Sequence, residues 1–146
     1  MDQFKEIEEI KILKARYFRF LDAKKWTELE QYLTDEVTFS YPPQQINVIG
    51  KAALISNFST RHDHTQTAHT GSMPEIEILG EHRAKGIWFM TDYVVVPQEN
   101  GNPIISQGFG HYFETYIKEE GQWKIESILL ERLLMTKPNP EFITIQ

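Results

Sequence analysis

A phenol and a carboxylate stand five residues apart near the end of the first periodic stretch of this chain, Tyr17 and Asp22. A phenol can donate to an oxygen that gains negative charge, and a carboxylate can hold and polarise a proton carrier. Apolar residues recur at Ile7, Ile10, Leu13, Tyr17, Phe20 and Leu21, the period of a helix with one buried face. Lys11, Lys14, Arg16 and Arg19 fall mostly off that stripe. A helix that presents Tyr17 and Asp22 inward would roof a pocket. The competing reading is a core tyrosine and a solvated helix end. Arg132 is one arginine on a strand face otherwise of Leu, Phe and Ile, which fits either a salt bridge at a sheet rim or an anion-binding group. His62-Asp63-His64 has the spacing that puts two imidazoles on one side of a strand, but no Glu follows at a short interval. His69 would be the nearest third ligand, and no metal site is predicted.

The chain as a whole narrows the function classes. Its 146 residues suit a single domain, 1–146, with a real core at about residues 5–136 and a loose C-terminal tail. Hydrophobic residues make up 40% and charged residues 25%, as in ordinary globular proteins. A net charge of −6 with no long basic run gives no electrostatic footprint for nucleic acid. There are no cysteines, which excludes disulfides, thiolate metal sites and cysteine nucleophiles. The charged, amphipathic start and the lack of an 18-residue apolar run predict a cytoplasmic protein with no membrane segment.

The elements that must position these residues change character midway. Helices are expected at about 3–22, from Trp26 to about Leu33, and from Lys51 to about Phe58. A short strand is expected at 36–41 and a loop at 42–49. Long strands follow, one beginning near Thr67, then Ala84–Val96, Ile105–Lys118 and Trp123–Met135. Gly86, Gly108 and Gly110 lie inside them, where glycine permits bulges and bending. The prediction is an α+β fold, a cone-shaped barrel of three N-terminal helices packed on a strongly curved, mostly antiparallel sheet. If the Glu119–Gln122 turn keeps even parity, Arg132 lies opposite Phe109, Leu130 opposite His111 and Ile128 opposite Phe113, all on one face. Tyr112, Glu114, Tyr116 and Leu129 then occupy the other face.

The segments ARYFRFLD, WTELEQYL, TDEVTFSYP, AHTGSMPEIEI, AKGIWFMTDYV, GFGHYFETY and QWKIESILLERL together resemble the SnoaL-like family of the nuclear transport factor 2-like superfamily, over roughly residues 5–136. Members include polyketide cyclases, scytalone dehydratase, steroid isomerases and bile-acid dehydratases, alongside non-catalytic relatives and dioxygenase small subunits. The bile-acid dehydratase pattern places a tyrosine and an aspartate five residues apart, a histidine further on, and an arginine in the last strand. Tyr17, Asp22, His69 and Arg132 match it in kind, with His69 standing 47 residues after Asp22. Relatives often carry further histidines where this chain has Ser72 and Phe113.

The resemblance implies an Asp22–His69 dyad, with Tyr17 and Arg132 stabilising an oxyanion or holding a substrate carboxylate. A histidine is suited to moving protons near neutral pH. The chemistry would be proton abstraction next to a carbonyl, followed by loss of water or a double-bond shift, on a small hydrophobic oxygenated molecule. It requires no cofactor. Trp88, Phe109, His111 and Phe113 are the expected pocket-lining residues, with a packed core as their plainer role. The alternatives are a non-catalytic ligand-binding domain or an assembly subunit of the same fold. A homodimer or higher oligomer is expected, because Tyr112, Tyr116 and Leu129 would otherwise form an apolar patch in water.

Overall fold

The computed structural model describes residues 1–141. Helix α1 spans Gln3–Asp22 and starts where the Asp2 carboxylate accepts from the Phe4 and Lys5 amides, satisfying donors that have no partner within the helix. Its buried face carries Ile10, Leu13, Lys14, Tyr17, Phe18 and Leu21. Lys14 therefore departs from the expected pattern: it is on the buried face, with its ammonium paired to Glu114. Helix α2 covers only Trp26–Glu30, and α3 covers Lys51–His62. Among the described residues, no helix is long and apolar enough to cross a membrane.

Strands β1 (Leu33–Tyr41), β2 (Ile46–Ile49), β3 (Gln66–Ile78), β4 (Arg83–Val96), β5 (Ile104–Glu119) and β6 (Gln122–Met135) form one sheet in the order β2-β1-β6-β5-β4-β3. All neighbours are antiparallel except β1 and β6, which run parallel. The sheet is curved but open, with β2 and β3 as edges. This is the expected α+β architecture without closure into a barrel.

Four boundaries differ from expectation. The second helix ends early because Leu33 already enters β1, fully buried and paired with Ile125. The supposed loop at 42–49 holds a 3-10 turn and β2, whose Ile46 and Val48 pack on the core. Helix α3 runs one turn past Phe58 to His62. The tail is also less loose than predicted: the Asn139 amide donates to the Ile105 carbonyl, and its side-chain oxygen accepts from the Ile105 amide at 2.7 Å.

The most consequential difference is a register shift. Next to the turn the expected pairing holds, with Glu119 opposite Gln122 and Tyr116 opposite Ile125. An extra residue, Glu126, then bulges from β6, so that Thr115 meets Ser127 and Gly110 meets Arg132. A slip of one residue turns every later side chain to the other face. Arg132, Leu130 and Ile128 share the helix-covered face with Tyr112, Glu114 and Tyr116, not with Phe109, His111 and Phe113. Phe109, His111 and Phe113 instead face outward, where Phe113 and Leu129 help line an open depression of about 700 Å³. Their expected place on the face of Arg132 is corrected accordingly, and the depressions that His111 and Phe113 line lie on the outer face. Trp88 does face inward, but as core: it is 5% exposed and its indole N–H donates to the Tyr116 hydroxyl at 2.9 Å.

Candidate functional site

Asp22 ends α1 at the point where the helix crosses β3. Its Oδ1 accepts from His69 Nδ1 at 2.6 Å and from the Thr67 hydroxyl at 2.8 Å. Its Oδ2 accepts from the His69 backbone N–H at 2.9 Å. One carboxylate thus grips both the ring and the main chain of His69. Thr67 and His69 can both reach it because alternate residues of a strand share a face. Donation from Nδ1 leaves Nε2 as the basic nitrogen. The Phe18 ring lies parallel to the imidazole with centroids 5.8 Å apart, and the His62 ring meets it edge-on at 6.2 Å.

Across the sheet, His69 is registered with Asp92, and Asp92 with Gly108. Asp92 Oδ2 lies 3.9 Å from His69 Nε2. The same carboxylate receives both arms of Arg132, from Nη1 at 3.0 Å and from Nη2 at 2.8 Å. Gly108 makes room for this fork: a methyl there would collide with the guanidinium and come within 2.6 Å of Asp92 Oδ1. The result is a row of interacting polar groups, Asp22, His69, Asp92 and Arg132, across three strands and a helix end.

Burial alone would push the Asp22 carboxyl up, but hydrogen bonds from the His69 ring and backbone and from Thr67 hold it below the usual range. Burial also pushes Asp92 up, and the Arg132 fork outweighs it to hold that carboxyl low. Burial raises the Tyr17 and Tyr112 phenols, which stay protonated donors. Burial, with the nearby His69 and Arg61, lowers His62 to about 4, so it is neutral at physiological pH.

Asp22 and His69 are in direct contact, and Arg132 reaches His69 only through Asp92. Tyr17 sits in the core at 2% exposure, its ring edge-on to Phe18 and Phe58. His62 and His64 lie at and beyond the end of α3, not on a strand, so their spacing lacks the strand geometry that prompted the metal reading. Asp92 and the contact of His62 with His69 were not anticipated in the site. Asp92 was detectable: it shares parity along β4 with Ala84, Trp88 and Met90, all buried, and a lone inward carboxylate in an apolar strand calls for a cation.

The partner of Arg132 decides one expectation. An arginine with no buried partner would be replaceable by methionine without loss, whereas this one neutralises a carboxylate that is 4% exposed. Arg132→Met should lower stability by on the order of 3 kcal/mol, because it strands Asp92. Asp92 is held low in the native protein, so its ionised form contributes stability above the unfolded-state aspartate value, and that contribution is lost as pH falls. The deficit of the variant should therefore shrink in acid. Urea denaturation of both proteins at neutral and acidic pH measures it.

An α+β sheet roofed by a helix that delivers an aspartate to a strand histidine defines a class of small cone-like domains. The profile of the SnoaL-like domain matches residues 2–128, and the chain belongs to the SnoaL-like family. The protein named "Probable cyclase FGR4" from Gibberella zeae is 28% identical over 130 residues, covering 82% of this chain and 86% of the relative. Among solved structures, a scytalone dehydratase-like protein from Novosphingobium aromaticivorans superposes with a TM-score of 0.83 at 23% identity, covering 92% of this chain and 88% of that one. The hexachlorocyclohexane dehydrochlorinase LinA-type3 from Novosphingobium barchaimii superposes with a TM-score of 0.75 at 16% identity, covering 99% and 98%. At these identities the superpositions establish the fold alone.

Proposed function

We propose that the protein is a cofactor-independent lyase or isomerase acting on a small hydrophobic oxygenated molecule, such as a polyketide or steroid-like ring. The observation that carries this reading is the double grip of Asp22 on His69, which fixes the ring and leaves Nε2 basic. In the proposed reaction, Nε2 removes a proton from the carbon next to a carbonyl. The electron pair moves into the carbonyl as an enolate, and Asp22 stabilises the imidazolium. A phenol hydroxyl of Tyr17 or Tyr112 donates to the enolate oxygen. The enolate then collapses, expelling a β-hydroxyl that takes the proton back from His69 and leaves as water. Without a leaving group, return of the proton to another carbon shifts the double bond. The family membership and the relative named as a cyclase support proton chemistry of this kind. The test is an absorbance screen of β-hydroxy ketones and enones with the native protein and with His69→Ala as its control.

One observation favours a second reading. Phe18 covers a face of the imidazole, and the His69 side chain is only 6% exposed. A site filled by its own aromatics suits an assembly subunit, and turnover identical for native protein and His69→Ala across the screen would select it.

The proposed oligomer rests on a revised surface. Tyr112 and Tyr116 are buried, 4% and 0% exposed, so they cannot form the apolar patch. Ile87, Phe89, Phe113 and Leu129 on the outer face are only half-buried and take their place. A homodimer through this face is the expectation. Light scattering at micromolar concentration should give twice 17.2 kDa, and Phe113→Lys should return the monomer mass.

A further inference from the structure

We propose that Lys24 is a positioning residue for the dyad: through the Thr67 hydroxyl it fixes the direction of the hydrogen bonds on Asp22 and limits how tightly Asp22 holds a proton on His69. The chemical use of this relay rests on the proposed function, while the relay itself can be tested without it.

Three hydrogen bonds run in series from the turn after α1 to the imidazole. Lys24 Nζ donates to Thr67 Oγ1 at 2.9 Å, and Thr67 Oγ1 donates to Asp22 Oδ1 at 2.8 Å. The same carboxylate oxygen accepts from His69 Nδ1 at 2.6 Å. An ammonium has no lone pair, so the Thr67 oxygen must accept from it. The hydroxyl has a single hydrogen, which is then committed to Asp22. Two donors therefore meet on Oδ1, while Oδ2 takes the His69 amide. Burial raises the Asp22 carboxyl, and the bonds from His69, then the one from Thr67, hold it low. A carboxylate shared among several donors accepts each less strongly, so a proton taken up by Nε2 is returned more readily.

The turn itself gives no reason for a lysine. The Lys25 amide donates to the Phe20 carbonyl at 2.9 Å and the Lys24 amide to the Leu21 carbonyl at 3.2 Å, the Schellman ending of a helix. Lys24 has a φ of 58°, the left-handed conformation that glycine adopts most easily. A cation at a helix C-terminus gains from the dipole wherever its side chain points. Lys25 serves that purpose while exposed, whereas Lys24 is half-buried and folded onto Thr67.

Charged and titratable groups face the relay from every neighbouring element. Burial lowers the Lys24 pKa, and Asp22 and Asp63 oppose that shift. Asp63, just past α3, thus offsets part of the ammonium charge. Its Oδ1 accepts from the Trp26 indole at 2.8 Å, and the hydrogen bond of Lys24 goes to Thr67 instead. From α3, His62 is neutral at physiological pH and feels the charge of Arg61 beside it. From β4 and β6, Asp92 and Arg132 are paired with each other. The Tyr17 and Tyr112 phenols stay protonated. Lys24 acts through bond direction and not through a net charge of the site.

An acid titration of the Asp22 carboxyl, followed by carbon-13 NMR, reads the relay with no substrate present. Lys24→Gly and Lys24→Met should each raise the Asp22 midpoint by about half a pH unit, because the Thr67 hydroxyl is then free to turn away. Lys24→Arg should keep the native midpoint. Lys24→Gly should also melt at or above the native temperature, since glycine relieves the left-handed backbone. Thr67→Val should raise the midpoint by as much or more, and adding Lys24→Gly should then change it little. An unmoved midpoint in both Lys24→Gly and Lys24→Met would overturn the relay, and so would a full additive shift in the double variant. An unmoved midpoint alongside turnover that depends on His69 rejects Lys24 and keeps the dyad. A raised midpoint alongside equal turnover of native protein and His69→Ala keeps the relay and rejects the enzyme.

Discussion

His69→Ala should cut turnover of a true substrate by about 10²–10⁴-fold, the contribution of a positioned general base. Asp22→Asn should cost as much or less, because the amide cannot stabilise an imidazolium and competes for the wrong tautomer. Asp22 accepts from the His69 ring at 2.6 Å and from its backbone at 2.9 Å, so the two residues act as one unit. The double variant should then be hardly slower than His69→Ala, since members of a unit lose their effect together. Multiplicative losses would show two independent contributions and defeat the dyad. The histidine variant should fold normally. Asp22→Asn should be slightly less stable, because the native carboxylate is held below its usual range by those hydrogen bonds. Circular dichroism on each protein separates lost folding from lost chemistry.

The second large effect concerns stability. The Lys14 ammonium lies 4.4, 4.4 and 4.3 Å from the ring centroids of Tyr17, Phe18 and Tyr112, and it is paired with Glu114. The side chains are 1% and 0% exposed. Glu114 also accepts from the Tyr116 hydroxyl, which accepts in turn from Trp88. Burial lowers the Lys14 pKa, and the Glu114 charge opposes that shift. Lys14→Met should cost about 3–5 kcal/mol, because it leaves a carboxylate in the core without its counter-charge. Adding Glu114→Gln should recover at least half of that loss by removing the stranded charge. Thermal and urea denaturation of the two single variants and the double variant measure the coupling. If the second substitution made the protein still less stable by its full separate cost, the pair would not be coupled and the lysine would act through its rings alone.

The same lysine marks one boundary of what the residues reveal in one dimension. The α1 stripe at Ile10, Leu13, Tyr17 and Leu21 was legible, because helical period and burial coincide there. Lys14 was not legible: its partner lies 100 residues away on β5, and a cation on a helix normally means solvent. The order of helices, then long strands, followed from period and turn signals. The inner and outer faces of β5 did not, because one bulged residue, Glu126, reverses them and has no turn-like composition to announce it. Asp22 and His69 were found through family likeness, and their contact comes from α1 ending on β3. Asp92 and the contact of His62 with His69 have no such likeness behind them. Asp92 becomes visible only once β4 is assigned its inward parity, and the His62 contact with His69 once α3 extends past Phe58.

The parallel pairing of β1 with β6 bears on the order in which the molecule can assemble during synthesis. β3 to β6 form a meander whose neighbours are successive in the chain, so those hairpins can close as each strand is made. β1 and β2 pair with each other early, yet they join the sheet only through β6, which is made after the other five described strands. Leu33, Phe39 and the β1 edge must wait for Ile125 and Ile128. Loop-closure entropy makes such distant contacts slow to form, and an unpaired β1–β2 hairpin is a ready template for another chain in the meantime. The nascent protein thus has a window of vulnerability that ends only when β6 is delivered.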